Sequence, residues 1–163
     1  MSSERVFLIA PVEAILIAEP TVESRPISDA DIPDVAQLVV DAATGSPGLE
    51  LTLDESRAKL DDLLSGSNGE PRRDAWLGVW EGYGTPVSAI MCTNWRGMPY
   101  IAQILTQPSS RGRGYASSLV RQATAIIEAD GGTHVGLVLE PGSPATDLFR
   151  ELGFKEMFTP AGL

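Results

Sequence analysis

The hydrophobic period changes twice along this chain, and that change restricts the fold more than any other feature. Between Ala75 and Thr106 three short apolar runs follow one another: AWLGVW (Ala75 to Trp80), PVSAIMC (Pro86 to Cys92) and YIAQILT (Tyr100 to Thr106). The first two are joined by EGYGT and the last two by a turn at Arg96 to Pro99, which predicts a meander of three antiparallel strands. From Tyr115 the period becomes helical, with Ala116, Leu119, Val120, Ala123, Ile126 and Ile127 on one face and Gly131-Gly132 as the stop. THVGLVLE, Thr133 to Glu140, is then an almost unbroken apolar strand, as expected for one covered on both faces.

Upstream of the meander, Val22 to Pro26 reads as a short strand, and Ser28 or Asp29 caps a helix whose apolar face is Ile32, Val35, Ala36, Leu38, Val39 and Ala42. A second amphipathic helix is predicted from about Leu53 to Leu64, with Asp54 and Glu55 in the first turn, where the helix dipole favours negative charge. SGSNGEPRR, Ser65 to Arg73, reads as a polar loop. Downstream, Ser143 and Pro144 start a short helix from Ala145 to Leu152, Gly153 closes it, and Phe154 to Phe158 form a last strand.

With 163 residues, 43% of them hydrophobic, the chain has enough apolar material for one core. The N-terminal run VFLIAPVEAILIA is interrupted by Pro11 and Glu13, follows MSSER with no net positive charge, and falls short of the ~20 residues that span a bilayer. It predicts one or two strands, Val6 to Ala10 and Ala14 to Ala18, packed on the domain or on a partner chain. The domain organisation is then an apolar extension over 1–20 and one domain over 21–163, with a homodimer compatible with either packing. One cysteine, Cys92, excludes an intramolecular disulfide framework, and one histidine, His134, leaves no cluster for zinc. These features predict a cytoplasmic, metal-free protein with no membrane partner.

The net charge of −10 argues against a nucleic-acid backbone as partner. Its distribution is uneven. No Asp or Glu occurs from Gly82 to Ile127, a span that holds Arg96, Arg111, Arg113 and Arg121. One region is therefore locally positive, and it contains TQPSSRGRGYASSL, Thr106 to Leu119. An apolar strand that feeds a glycine-rich turn and then a helix N-terminus aims unpaired backbone N–H groups in one direction, a ready anion site. Gly112 and Gly114 admit a ligand where a Cβ would block it. The alternative is a tight crossover whose glycines serve geometry and whose arginines are solvated. Neither a P-loop nor a dinucleotide fingerprint has its required spacing here.

RGRGYA, Arg111 to Ala116, resembles the R/Q-x-x-G-x-G/A motif of the GNAT superfamily of acyl-CoA N-acyltransferases, and Pro108 stands where V-x-P often precedes it. Ala145, Leu148, Phe149, Gly153 and Phe154 resemble that family's A-x-x-L-[YF]-x-x-x-G-F stretch at its usual distance. The resemblance covers roughly Trp76 to Phe158 and, more loosely, the preceding strand and helices. It implies a mixed α/β (α+β) fold: a mostly antiparallel central sheet of about six to seven strands with helices on both faces. It further implies that backbone groups of Ile104, Leu105 and Thr106 pair with the pantetheine of acetyl-CoA. The pyrophosphate would rest on Arg111, Gly112, Arg113, Gly114, Tyr115, Ala116 and Ser117, and the third meander strand would splay from the next one beyond Thr106 and Val138.

By the same resemblance the function is acetyl-CoA-dependent N-acetylation of a primary amine, in a small molecule, a peptide N-terminus or a lysine. The competing reading is a non-catalytic CoA-binding regulatory or scaffolding domain. Many family members protonate the departing thiolate with a Tyr where this chain has Phe149, and the frequent upstream Asn is replaced at about Gly142. Glu140, at the end of its strand, is a candidate base with a solvated loop residue as its alternative; Tyr100 and Tyr83 are candidate acids with packing at strand ends as theirs. Cys92 fits a small buried residue better than a nucleophile. His134 reads as a strand-edge residue, and no G-x-S-x-G elbow supports a Ser/His/Asp hydrolase. Trp76, Trp80 and Trp95 fit core or rim packing.

Overall fold

The computed structural model describes residues 5–46, 48–139, 143 and 145–157. The first half of the chain forms β1 (Val6–Pro11), a single turn α1 (Val12–Ile15), β2 (Arg25–Pro26), α2 (Ile32–Ala43) and α3 (Leu53–Ser65). The second half forms β3 (Glu70–Val79), β4 (Ser88–Trp95), β5 (Met98–Thr106), α4 (Tyr115–Ala129), β6 (His134–Leu139), α5 (Thr146–Glu151) and β7 (Lys155–Glu156). All seven strands join one sheet in the order β2-β3-β4-β5-β6-β1-β7. Every pairing is antiparallel except that of β5 with β6. The expected mixed, mostly antiparallel sheet is thus present, and the meander is β3, β4 and β5.

Several segments depart from the sequence expectation for identifiable reasons. Ala14 to Ala18 is not a strand: the chain turns helical at Val12, which buries Val12 and Ile15 against the core. β1 lies inside the sheet, pairing with β6 from Val6↔Leu139 to Pro11↔His134 and with β7 at Leu8 and Ile9. The expected loop over 65–73 gives way to β3 at Glu70. Its charged residues hide the strand because the ladder there is closed by backbone pairs, Glu70↔Asn94 to Arg72↔Cys92, and by a buried Arg72 that bridges Asp74 (2.9 Å) and Asp130 (3.3 Å).

Alternation along the strands sends residues to two cores. On one face Ile90, Cys92, Ile101, Val135 and Leu137 pack with Leu119, Ala123 and Ile127 of α4 and with Phe149 of α5. On the other, Trp76, Ala89 and Met91 pack with Val35 and Leu38 of α2 and Leu60 and Leu63 of α3. Trp76 is fully buried and still satisfied, since Nε1 donates to the Cys92 carbonyl at 2.9 Å. Burying each large side chain in these layers contributes about 1.5–3 kcal/mol.

Helix starts carry the expected chemistry. Thr52 and Glu55 form a reciprocal capping box on α3, and Ser28 and Asp31 form one on the 3-10 turn that leads into α2. The segment between α1 and β2 is pinned to α4: the amides of Thr21 and Val22 both donate to Ser118 Oγ at 3.1 Å, and Gln122 Nε2 donates to the Val22 carbonyl at 2.8 Å.

The Asp31 carboxylate accepts from Arg25 (2.9 Å) and from the Ser28 amide (2.8 Å), and these bonds, the Arg25 one first, hold its pKa well below the usual carboxylate range. A lowered carboxylate stabilises the fold fully above its unfolded pKa of about 3.9, and the contribution drains away as pH falls through the folded value. Asp31→Asn is expected to cost about 1 kcal/mol at pH 7. In urea titrations at a series of pH values, that difference should shrink steadily below about pH 4. A gap independent of pH would show that the carboxylate charge has no part in it.

Phe149 is wholly buried and meets Phe154 edge-on, with ring centroids 5.3 Å apart. Phe149→Tyr therefore adds an unpartnered hydroxyl to the core, and denaturant unfolding should report a loss of about 1–3 kcal/mol. An unchanged midpoint would mean that the hydroxyl reaches water or a polar partner.

Candidate functional site

The site begins where two parallel strands part. β5 and β6 meet at one register position, Tyr100↔Gly136. Gly136 leaves room there for the tips of two side chains, since a Cβ would lie 2.6 Å from Met98 Cε and 3.0 Å from Phe7 Cζ. Just beyond this point β5 carries a bulge: Cys92 pairs with Ile101 but Met91 pairs with Gln103, leaving Ala102 as the extra residue. Such a bulge bends its strand and increases its twist, and it lies just where β5 and β6 cease to pair. The loss of a neighbour is visible in burial. Ser88 to Thr93 of β4 are all buried, whereas in β5 only Ile101 is.

The unpaired edge of β5 has a defined polarity. Ser88 Oγ donates to the Leu105 carbonyl at 2.8 Å, so Leu105 turns its backbone groups to β4. By the alternation of strand backbone groups, Ile104 and Thr106 turn theirs to the open side. Thr106 O accepts from Arg111 Nε at 3.3 Å.

After β5 the chain makes a 3-10 turn at Pro108–Ser110 and enters α4 through Gly112 and Gly114, both with φ of +79°. In this left-handed region a side chain is strained even where space is free, as it is around Gly112. From Gly112 onward, the first amide to find a backbone acceptor is that of Ser118, which donates to Gly114 O at 3.1 Å. Among the described residues, the amides of Gly112, Arg113, Gly114, Tyr115, Ala116 and Ser117 have no protein acceptor. Unpartnered N–H groups at the positive end of a helix are the kind of donors that anions bind.

The two arginines of the turn are placed differently from each other. Arg111 donates to the Ala42 carbonyl at 2.8 Å, tying the turn to the C-terminal end of α2, where a cation is favoured by the dipole. Arg113 pairs with Glu81 at 3.3 Å, and the Tyr115 hydroxyl donates to the same carboxylate oxygen. In the sequence Glu81 only borders the acid-free span that starts at Gly82. The fold returns the last acid before that span to the cationic turn.

On the α3 face, the parting of β5 and β6 opens a cleft of about 410 Å³. It is lined by Tyr100, Ala102 and Gln103 of β5, Val138 of β6, the buried Leu63 and the solvent-exposed Lys59 and Asp62 of α3, and by Asn68 and Arg5. Tyr100 is the candidate acid that the structure brings into the cleft. Burial raises its pKa, opposed by the charge of Arg5 and the backbone N–H of Val138. A hydroxyl with a raised pKa stays protonated at neutral pH.

The other candidates lie elsewhere. Phe149 is a core residue. Glu140 lies outside the described residues. Tyr83 is fully exposed in the β3–β4 connection. Cys92 is buried, and desolvation pushes its thiol up to about 12, so no thiolate nucleophile is available. His134 sits at the start of β6, its Nδ1 3.0 Å from Thr133 Oγ1. Trp80 stacks under Arg25 at 3.5 Å, and Trp95 lies 6.0 Å from the Tyr100 ring. Among the described residues no His/Cys/Asp/Glu cluster could hold a metal, and no helix is long and apolar enough to cross a membrane. Lys59 and Asp62 had no signal in the sequence beyond their spacing of three on one helix, which is common on solvated faces.

Known proteins bear on this geometry in three ways. The family model described as Acetyltransferase (GNAT) family matches residues 38–154, which include the meander, the turn and the parted strands. No curated protein matches the chain significantly. A GCN5-related N-acetyltransferase from Sphaerobacter thermophilus superposes with a TM-score of 0.68 at 18% identity, over 96% of this chain and 50% of that one. A GNAT-family acetyltransferase from Colwellia psychrerythraea gives 0.69 at 14% identity, over 95% and 53%. The chain thus spans about half the length of these two proteins. An acetyltransferase from Trypanosoma brucei gives 0.56 at 19% identity, over 88% of this chain and 99% of that one. At these identities the superpositions establish the fold, and the match over most of the chain establishes its kinship: this chain belongs to the GNAT acetyltransferase family.

Proposed function

We propose that the chain is an acetyl-CoA-dependent N-acetyltransferase that acylates a primary amine. The observation that carries this reading is the row of six unpartnered amides from Gly112 to Ser117, placed at the end of a strand edge that has lost its neighbour. A diphosphate matches the amide row, and an amide-containing arm matches the outward-turned backbone groups of Ile104 and the Thr106 amide, the Thr106 carbonyl being held by Arg111. Bound acetyl-CoA would supply a thioester, whose acyl carbon takes the amine nitrogen while the C–S electron pair leaves with sulfur.

The chain's own residues then have definable tasks. The amides at 112–117 fix one end of the coenzyme without needing side-chain charge. The bulge at Ala102 bends β5 just where its pairing with β6 stops. Tyr100 holds a proton in the cleft and can give it to the departing sulfur, while the proton lost by the amine passes to water in this open cleft. A CoA-binding domain without turnover is the alternative favoured by one observation, the burial of Phe149, which removes the position where relatives often carry a Tyr. Thiol release over a broad amine panel separates the two: coenzyme binding with no release for any amine supports the second.

Gly114→Val places a β-branched residue at φ +79°, where the backbone that aims the amides must shift. Calorimetry should show CoA affinity at least tenfold weaker, about 1.4 kcal/mol, in a folded protein. Equal affinity would remove this turn from the site.

Glu81→Gln removes an internal anion that competes for Arg113 and Tyr115. CoA should bind a few-fold more tightly to this variant, and the gain should fade as salt rises because exposed charges are screened over about 8 Å at physiological ionic strength. Weaker binding would assign Glu81 a supporting rather than a competing role.

A further inference from the structure

The proposed function leaves the amine acceptor open, and the residues around the cleft narrow it. A cleft of about 410 Å³ is within the range of small-molecule sites, roughly 300–1,000 Å³. Cations border it from two different elements: Lys59 on α3 and Arg5 immediately before β1. This is unexpected in a chain of net charge −10, and on a helix whose other charged residues are Asp54, Glu55, Arg57, Asp61 and Asp62. Arg5 has interactions of its own, but its charge is felt at the Tyr100 hydroxyl, so its field reaches the cleft lining. Lys59 and the Asp62 carboxylate have no ion-pair partner among the described residues.

Lys59 and Asp62 are three residues apart on α3, about 4.5 Å along the helix axis. Side chains at this spacing share a face. The cleft therefore presents a cation and an anion about one helical turn apart, and it is also lined by Asn68 of the α3–β3 connection and Gln103 of β5. An amine with no anionic group would leave Lys59 unanswered.

We propose that the acceptor is a small amine that carries its own anionic group, carboxylate or phosphate, with Lys59 receiving the anion and Asp62 drawing in the ammonium. Nearby water takes the ammonium's proton before attack. This rests on the acetyltransferase reading.

The test compares matched pairs of acceptors by thiol release from acetyl-CoA: α-amino acids against their amides, and amino-sugar phosphates against the parent amino sugars. In at least one pair the anion-bearing member should have the higher kcat/KM, by about tenfold or more, as a charge-assisted contact provides. The pair that shows the preference identifies carboxylate or phosphate. Lys59→Met should reduce that ratio to about one, and Lys59→Arg should restore much of it. Equal rates within both pairs, or a Lys59→Met variant that keeps the ratio, would overturn the proposal while leaving acetyl transfer in place. If acetyl-CoA binds but no amine releases thiol, the acetyltransferase reading fails. The cleft is then read by NMR with the same compounds: shifts of the Asn68 and Gln103 side-chain amides caused by anion-bearing amines in the wild type but not in Lys59→Met would support it. No shift with any of them would refute it.

Discussion

Two parallel strands that touch at one register position organise this molecule. Had β5 and β6 continued to pair beyond Tyr100 and Gly136, the sheet would be closed and the chain would have neither an open edge nor a cleft. Parallel strands ordinarily run buried between helices with all backbone groups paired. Here β5 carries a one-residue bulge at Ala102, just past the point where its pairing with β6 stops, and the cost is an edge of unpaired backbone inside the domain. Such an edge is a liability unless something is meant to lie along it.

Charge at the glycine turn is managed internally. The backbone amides are left without protein acceptors, Arg111 is engaged in holding α2 to the end of β5, and Arg113 is paired with Glu81. A turn built this way depends little on side-chain charge. The acidic balance of the chain as a whole is therefore compatible with an anionic ligand at one place, because the local donors are dipoles fixed by the fold.

Most of the architecture was legible from hydrophobic period. The meander, the helices from Ile32, Leu53 and Tyr115, and the strand after Gly131-Gly132 follow from alternation or a 3.6-residue repeat, both of which are imposed by burial of one face. What could not be read was non-local. Nothing near Val6 specifies that β1 enters between β6 and β7, since that depends on residues more than a hundred positions away. The start of β3 at Glu70 was hidden because charged side chains there are compensated by Asp74 and Asp130 rather than by alternation. In the candidate site, the glycine turn was readable because its backbone conformation demands particular residue types. The cleft was not, because Lys59 and Asp62 look like any solvated helix face until β5 and β6 part beneath them.

The position of β1 has a consequence for how the chain is made. Its partners along the ladder run from His134 to Leu139, so Val6 must wait for Leu139 before its backbone is paired. At synthesis rates of about 5–20 residues per second, that wait is on the order of ten seconds, during which an apolar strand with both edges unsatisfied is outside the ribosome. The helices and the β3–β5 meander can form in that interval from local contacts, but the sheet cannot be sealed. Late arrival of β6 makes the first strand among the last to be secured. A holdase that recognises extended apolar segments would find its target in β1.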